Sequence, residues 1–221
     1  MTVALGRKFY VSLAVLMTGL VFVGFWPSYF GVLLSGGDYE RHWVFHVHAV
    51  VFLGWMAALI VQTLLAARRQ TKTHMALGRW GFLLGVAVLL LGLVVSGVII
   101  RDGYAQGAID TWSQAVWFAS APLMDITQFG ILLGLGWGHR RKLEFHRRYM
   151  VLATIAILPA ATARSAWLLG PWSFEMLFLA LVSIVAARDL YMDRRLHTAN
   201  IIGVLILIPR LVLNISYKIV G

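Results

Sequence analysis

Seven apolar stretches separated by short polar breaks constrain this chain more than any other feature. They lie near 9–30, 43–66, 79–100, 112–137, 148–169, 173–189 and 199–217. At 1.5 Å per residue, stretches of this length span about 30 Å of hydrocarbon, although the sixth is short. The breaks have local causes. Ser35-Gly36-Gly37-Asp38 reads as a turn, Arg101-Asp102-Gly103 to Asp110 as a polar loop, and Gly170-Pro171 as a helix end followed by a new start. Hydrophobic residues make up 60% of the 221 and charged residues 13%, against about half and a quarter in a soluble domain. One globular core cannot hide that excess, so lipid is the expected solvent. The expected fold is therefore all-α: a polytopic membrane helix bundle of about seven transmembrane helices, forming one domain over residues 1–221. Arg7 and Lys8 precede an apolar run too long for a signal peptide, so the first segment is expected to remain as an anchor.

The basic residues give a direction. With the N-terminus inside, Arg7, Lys8, Arg68, Arg69, Lys72, Arg79, Arg140, Arg141, Lys142, Arg147, Arg148, Arg188, Arg194 and Arg195 fall on the cytoplasmic side. Arg41, Arg101 and Lys218 fall outside, and Arg164 and Arg210 lie within spans. That asymmetry predicts an N-in, C-out orientation. It also accounts for the net charge of +10 as topology signals and contacts to membrane lipids, which argues against a nucleic-acid partner. The absence of cysteine rules out disulfide and thiolate chemistry.

A weak internal repeat joins three junctions, AARRQTKTHMALGRW, GHRRKLEFHRRYM and ARDLYMDRRLHTAN. Each follows an apolar helix with a basic loop, a histidine and the next helix. The histidines are His74, His146 and His197, all expected at the inner face.

At these junctions, His74 followed by Leu77-Gly78-Arg79, and His-Arg-Arg-Tyr-Met at 146–150 with Arg164 downstream, resemble the motifs of a family of uncharacterised bacterial multi-pass membrane proteins. The segment FHVHAVVFLGW with Gln62 fits the same pattern, and the resemblance covers residues 40–170. It implies a bacterial inner-membrane location and no particular activity.

Two sets of residues could carry chemistry. The first is histidine. His42 and His46 are four apart and share a helix face, a spacing that can ligate a metal. His48 continues through Trp55 and Gln62 in steps of seven as a polar-aromatic stripe. On the inner side, His74, His139, His146 and His197 could converge on a metal or heme, or could contact lipid phosphates and cap helices. The second set is buried charge: Asp125 and Gln128 in the fourth span, Arg164 in the fifth, Glu175 in the sixth and Arg210 in the seventh. A charge at the bilayer centre costs about 2.5–3.5 kcal/mol on insertion scales, so such groups need partners or a cavity. Asp125 is expected to pair with Arg210 or Arg164 around an internal polar cavity, or as a structural ion pair that fixes helix register. Pro122, Pro159 and Pro209 lie near these charges, where a kink frees carbonyls. Gly81, Gly85, Gly92, Ser96 and Gly97 read as packing positions. The sequence contains no Walker, dinucleotide, HExxH or nucleophile-elbow motif, and the seventh span has no mid-membrane lysine for a retinal.

Three functions fit these features. The first is a non-enzymatic transporter, sensor or accessory subunit of a membrane complex, with the buried polar residues as its working part. The second is a membrane electron-transfer protein holding b-type heme or working with a quinone, with His74, His146 and His48 as ligands. It is similar in outline to transmembrane cytochrome b reductases, but its outer histidines all come from one helix. The third is a zinc-dependent intramembrane hydrolase using His74, His146 and His197, similar in outline to seven-helix zinc lipid hydrolases but lacking an HxxxH pair in the last helix.

Overall fold

The computed structural model describes residues 2–37 and 42–220, with side chains described for 8–37 and 42–219. Asp38 and Arg41, and the side chain of Arg7, lie outside the described residues. Among the described residues every regular element is helical. In chain order these are α1 (Thr2–Phe25), a π-helical turn (Trp26–Phe30), α2 (Gly31–Leu34), α3 (Val44–Ala67), α4 (Thr71–Ala105), α5 (Trp112–Gly138), α6 (Leu143–Ala156), α7 (Pro159–Arg164), α8 (Ala166–Leu169), α9 (Ser173–Asp193) and α10 (Thr198–Val220).

Five helical segments among the described residues are long and apolar enough to cross a membrane: Lys8–Leu34, Val44–Ala67, Thr71–Ala105, Trp112–Gly138 and Thr198–Ile219. The expected fifth and sixth stretches differ from these. Residues 148–169 are divided among α6, α7 and α8. Pro159 has no N–H to return to Ile155, so the chain closes α6 with tighter bonds, Ile157 N to Thr154 O and Leu158 N to Ile155 O (both 3.2 Å). Helix α9 carries Glu175, Arg188, Asp189 and Asp193 along its length. Pro122 and Pro209, by contrast, lie inside helices that continue past them.

Helix α4 also corrects an expected boundary. The segment read as a polar loop from Arg101 is helical to Ala105, and the chain turns at Gly107, whose φ of +67° suits glycine. Helix α5 then starts on a capping box. The Thr111 hydroxyl accepts from Gln114 N, and the Gln114 side chain accepts from Thr111 N (3.0 Å).

The broken, less apolar α6–α7 pair forms the centre of the bundle. Residues Val151 to Ala156 are all buried, as are Leu158 and Ala161. Helices α1, α5, α9 and α10 surround this pair, and α3 and α4 extend the bundle on the α1 and α5 sides. Helix α1 contributes a stripe, Tyr10, Leu13, Ala14, Met17 and Val21, at the three- and four-residue spacing of one helix face. Trp55 of α3 is buried against Phe129 and donates its indole N–H to Thr154 of α6 (3.3 Å).

Lipid tails are as apolar as leucine, so helices in a bilayer associate through close packing and polar contacts rather than through escape from water. Gly24 shows the close packing: a Cβ there would run into the backbone carbonyl of Ala161. Gly85 would place a Cβ 2.9 Å from Trp55 and 2.8 Å from Leu133, so it seats α4 between α3 and α5. Gly92 meets Ile126 and Ser96 is buried, whereas Gly81 and Gly97 have nothing within reach.

Candidate functional site

The helices bring polar side chains together in three places. The first is at the basic end of the bundle, where α6 begins and α9 ends. Arg148 and Asp189 are both wholly inaccessible and face each other. Arg148 donates to Asp189 through Nε (3.1 Å) and Nη2 (2.6 Å), to Asp193 through Nη2 (2.7 Å), and to Glu144 Oε2 through Nη1 (2.5 Å). Asp189 also accepts from Arg188 (3.0 Å), from the backbone N–H of His197 (3.0 Å) and from the Asn200 amide (2.5 Å). Glu144 further pairs with Arg147. A buried guanidinium and carboxylate are tolerable only with this many charge-assisted partners. The cluster ties the start of α6 to the end of α9 and the start of α10.

Sequence reasoning read Arg147, Arg148 and Arg188 as topology signals and lipid contacts on the cytoplasmic side and passed over Asp189, Asp193, Glu144 and Asn200. A signal was present. Glu144–Arg148 and Asp189–Asp193 are each four apart, so each pair shares one helix face, and these acids interrupt otherwise basic junctions.

The second group lies further from the basic end, between α5, α9 and α10. Asp125 accepts from Arg210 Nε (2.7 Å). Arg210 continues to Asn214 (3.3 Å), Asn214 donates to Glu175 (2.7 Å), and Glu175 takes Lys218 (2.7 Å). Lys218 also donates to the Pro171 carbonyl (2.6 Å) and lies over the Trp172 ring. The Arg210 guanidinium packs over Phe174. Of the two partners expected for Asp125, Arg210 takes the place. Arg164 is on α7, donating to the Ala160 carbonyl (3.0 Å) and lying over Phe25. Gln128 is buried in α5, and its Oε1 has no hydrogen-bond partner among the described residues.

The third group is the histidines. His74 and His146, in the first turns of α4 and α6, have ring centroids 6.2 Å apart with planes at 85°. The Nδ1 of His146 meets the Gly136 carbonyl (2.8 Å), and that of His74 meets the Gln62 carbonyl (3.3 Å). The Gln62 side chain lies against the same turn of α4. With its oxygen turned to accept the Gly78 N–H (3.0 Å), its nitrogen is 2.6 Å from His74 Nδ1. Burial lowers the His146 pKa below its ordinary value. The Gly136 carbonyl pulls the other way, and neighbouring His74 adds to the lowering. The ring is therefore neutral at pH 7.

The other expected histidines are elsewhere. His197 precedes α10, accepts the Ala199 N–H on Nδ1 (3.1 Å) and packs on Phe145. The three-histidine set His74, His146 and His197 is thus not assembled, because the third ring is used as a helix cap. Among the described residues no three His, Cys, Asp or Glu side chains converge as a metal site. His139 bonds the Leu135 carbonyl (2.9 Å) and stacks on Phe145. At the opposite end, His42 accepts the Val44 N–H (3.3 Å) and His46 pairs with the Tyr29 hydroxyl (3.0 Å). The stripe from His48 through Trp55 to Gln62 separates into three surroundings: His48 lies beside Phe52, Trp55 is in the core and Gln62 is on the His74 turn.

These features define an all-α bundle with several apolar helices, as a membrane protein has. No family model, curated protein or solved structure matches the chain.

Proposed function

We propose that this chain is a bacterial inner-membrane protein that crosses the bilayer seven times, N-terminus inside and C-terminus outside, and serves as an accessory subunit of a larger membrane complex rather than as an enzyme. The seven crossings are the five apolar helices together with residues 148–169 and α9. In α9 and the broken segment, the buried charges find protein partners, so low hydropathy is no obstacle to burial. In this reading the basic end faces the cytoplasm.

The observation that carries the non-catalytic role is the closed chain Asp125–Arg210–Asn214–Glu175–Lys218. Every charge in it is answered by another residue of the chain. A closed set of ion pairs fixes the register of α5, α9 and α10, which suits a scaffold better than a path that must open and release a solute. Membrane lipids and neighbouring subunits are the expected partners.

The test has two parts. A phosphatase fused to the C-terminus should be active outside the cytoplasm. Native electrophoresis of gently solubilised membranes should place the chain in an assembly of fixed stoichiometry. A cytoplasmic C-terminus, or a lone monomer that moves a solute across vesicles, would overturn the reading.

A further inference from the structure

We infer that the two basic turns joining α3 to α4 and α5 to α6 form one docking surface for an anionic phospholipid that carries two phosphates. The inference rests on the membrane-spanning part of the proposed reading and not on the accessory role.

The two turns repeat each other. Arg68-Arg69 stands six and five residues before His74, and Arg140-Arg141 stands six and five residues before His146. Helices α4 and α6 both run away from the basic end, and the two histidine rings meet at a centroid separation of 6.2 Å. That contact sets the first turn of α4 beside the first turn of α6, so the two arginine pairs are neighbours at the same end of the bundle.

Their charge is left open. Arg68, Arg69, Lys72, Arg140, Arg141 and Lys142 are all exposed, and none has a carboxylate within ion-pair distance among the described residues. The sequence supplies the reason: no acid occurs between Glu40 and Asp102, or between Asp125 and Glu144. Glu144 itself is taken by Arg147 and Arg148. The junction of α9 with α10 differs, because it carries Asp189 and Asp193, which answer Arg148 and Arg188. Six exposed cations on two adjacent turns repel one another, and an anion from outside the chain relieves that repulsion. Topology requires only that bases lie on one side of the membrane, not that two turns lie together.

The surroundings select a lipid over a soluble polyanion. Met75, Leu77, Trp80 and Leu143 are exposed beside these bases. From Trp80 an exposed apolar stripe continues along α4 through Leu83, Leu90 and Val94, at the spacing of one helix face. Trp80 adjoins Arg79 as an interfacial ring does, and the stripe beyond it offers acyl chains an apolar track. Clustered bases between membrane helices suit phospholipid headgroups. A guanidinium binds phosphate bidentately, so two arginine pairs on neighbouring turns suit two linked phosphates better than one.

The experiment uses the full chain in detergent and native mass spectrometry. The probes are diphosphatidylglycerol with two phosphates, phosphatidylglycerol with one, zwitterionic phosphatidylcholine, and inorganic pyrophosphate. One equivalent of diphosphatidylglycerol should be retained, about 10-fold more tightly than phosphatidylglycerol, and pyrophosphate should not displace it. Phosphatidylcholine should be held more weakly than either. Arg68→Gln/Arg69→Gln and Arg140→Gln/Arg141→Gln should each weaken binding about 30-fold. Arg194→Gln/Arg195→Gln, which removes the same charge from the α9–α10 turn, should bind like the wild type. Bound lipid should also shield Lys72 and Lys142 of the wild type from acylation, so the result stands if a variant fails to fold. Equal retention of the one- and two-phosphate lipids, displacement by pyrophosphate, or an equal loss on removing Arg194 and Arg195 would overturn the inference. Loss of a native assembly in the first two variants, with lipid retention unchanged, would assign the turns to an acidic partner subunit instead. The purified chain needs no partner for the lipid measurement, so failure to find a partner complex leaves that result intact.

Discussion

The two buried charge networks use the same chemistry and differ in how they close. Around Arg148 and Asp189, two wholly inaccessible groups are surrounded by further acids, bases and an amide from three helices. Around Asp125 and Arg210 the contacts form a line, each group answered by one or two others, and the line ends at Lys218, whose side chain is 27% exposed. At the rim of the knot Glu144 and Asp193 reach water, but Arg148 and Asp189 at its centre do not, and neither has a substitute for the other. In the line, the end at Lys218 is open to water. Their energetic weights should therefore fall in that order.

The largest effect is expected from Asp189→Leu or Arg148→Met. Each removes the central partner of a wholly buried charge and leaves it only its remaining contacts, Glu144 and Asp193 for Arg148 or Arg188, His197 N–H and Asn200 for Asp189, at a cost of about 3–5 kcal/mol. The double variant Arg148→Met/Asp189→Leu should recover much of that loss, because an apolar pair can replace a buried ion pair at little cost. Thermal unfolding of the detergent-solubilised protein measures both, and a double variant no better than the singles would place the cost in packing instead. Next comes Arg210→Met, which strands Asp125. An uncompensated charge at that depth costs about 2.5–3.5 kcal/mol, and Asp125→Asn in the same background should relieve it.

A pH scan sharpens the contrast between the networks. His146 and His197 both stand at the basic end with pKa values lowered by burial, and Arg148 lowers that of His197 further. A depressed histidine pKa means that the fold binds fewer protons than the unfolded chain. That stability is present above the ordinary value of about 6.5 and is lost as pH falls through it. The unfolding temperature should decline below about pH 6.5, with His146→Asn flattening the decline. A decline unchanged in His146→Asn and His197→Asn variants would assign it elsewhere. The smallest effect belongs to Lys218→Met. Water reaches the Lys218 end of this pair and can take up part of the loss, leaving about 1 kcal/mol, so a loss as large as that of Arg210→Met would show that the line behaves as a knot.

What was legible in the sequence divides along physical lines. The five apolar helices were plain because residence in lipid depends on local composition, and 20 or so apolar residues announce themselves without reference to any other segment. Asp125 and Arg210 were conspicuous for the same reason, as charges within apolar runs. The Arg148 knot was not. Its members lie in basic, polar junctions where charge looks ordinary, and Arg148 and Asp189 are 41 residues apart. Helix α6 illustrates the inversion: it begins Leu-Glu-Phe-His-Arg-Arg, yet Arg148, Tyr149 and Leu152 are among its most deeply buried residues. Helix α4, far greasier to read, turns Trp80, Leu83, Leu90 and Leu93 outward.

The sequence alone determined that this chain is helical and rich in lipid-compatible segments, because backbone satisfaction in hydrocarbon leaves a long apolar run no other form. Only the tertiary structure decided which charge answers which, where Pro159 breaks a helix while Pro122 and Pro209 do not, and that His74 meets His146 while His197 caps α10. Those outcomes depend on contacts between residues far apart in the chain, and no local pattern of residues encodes a distance across the bundle.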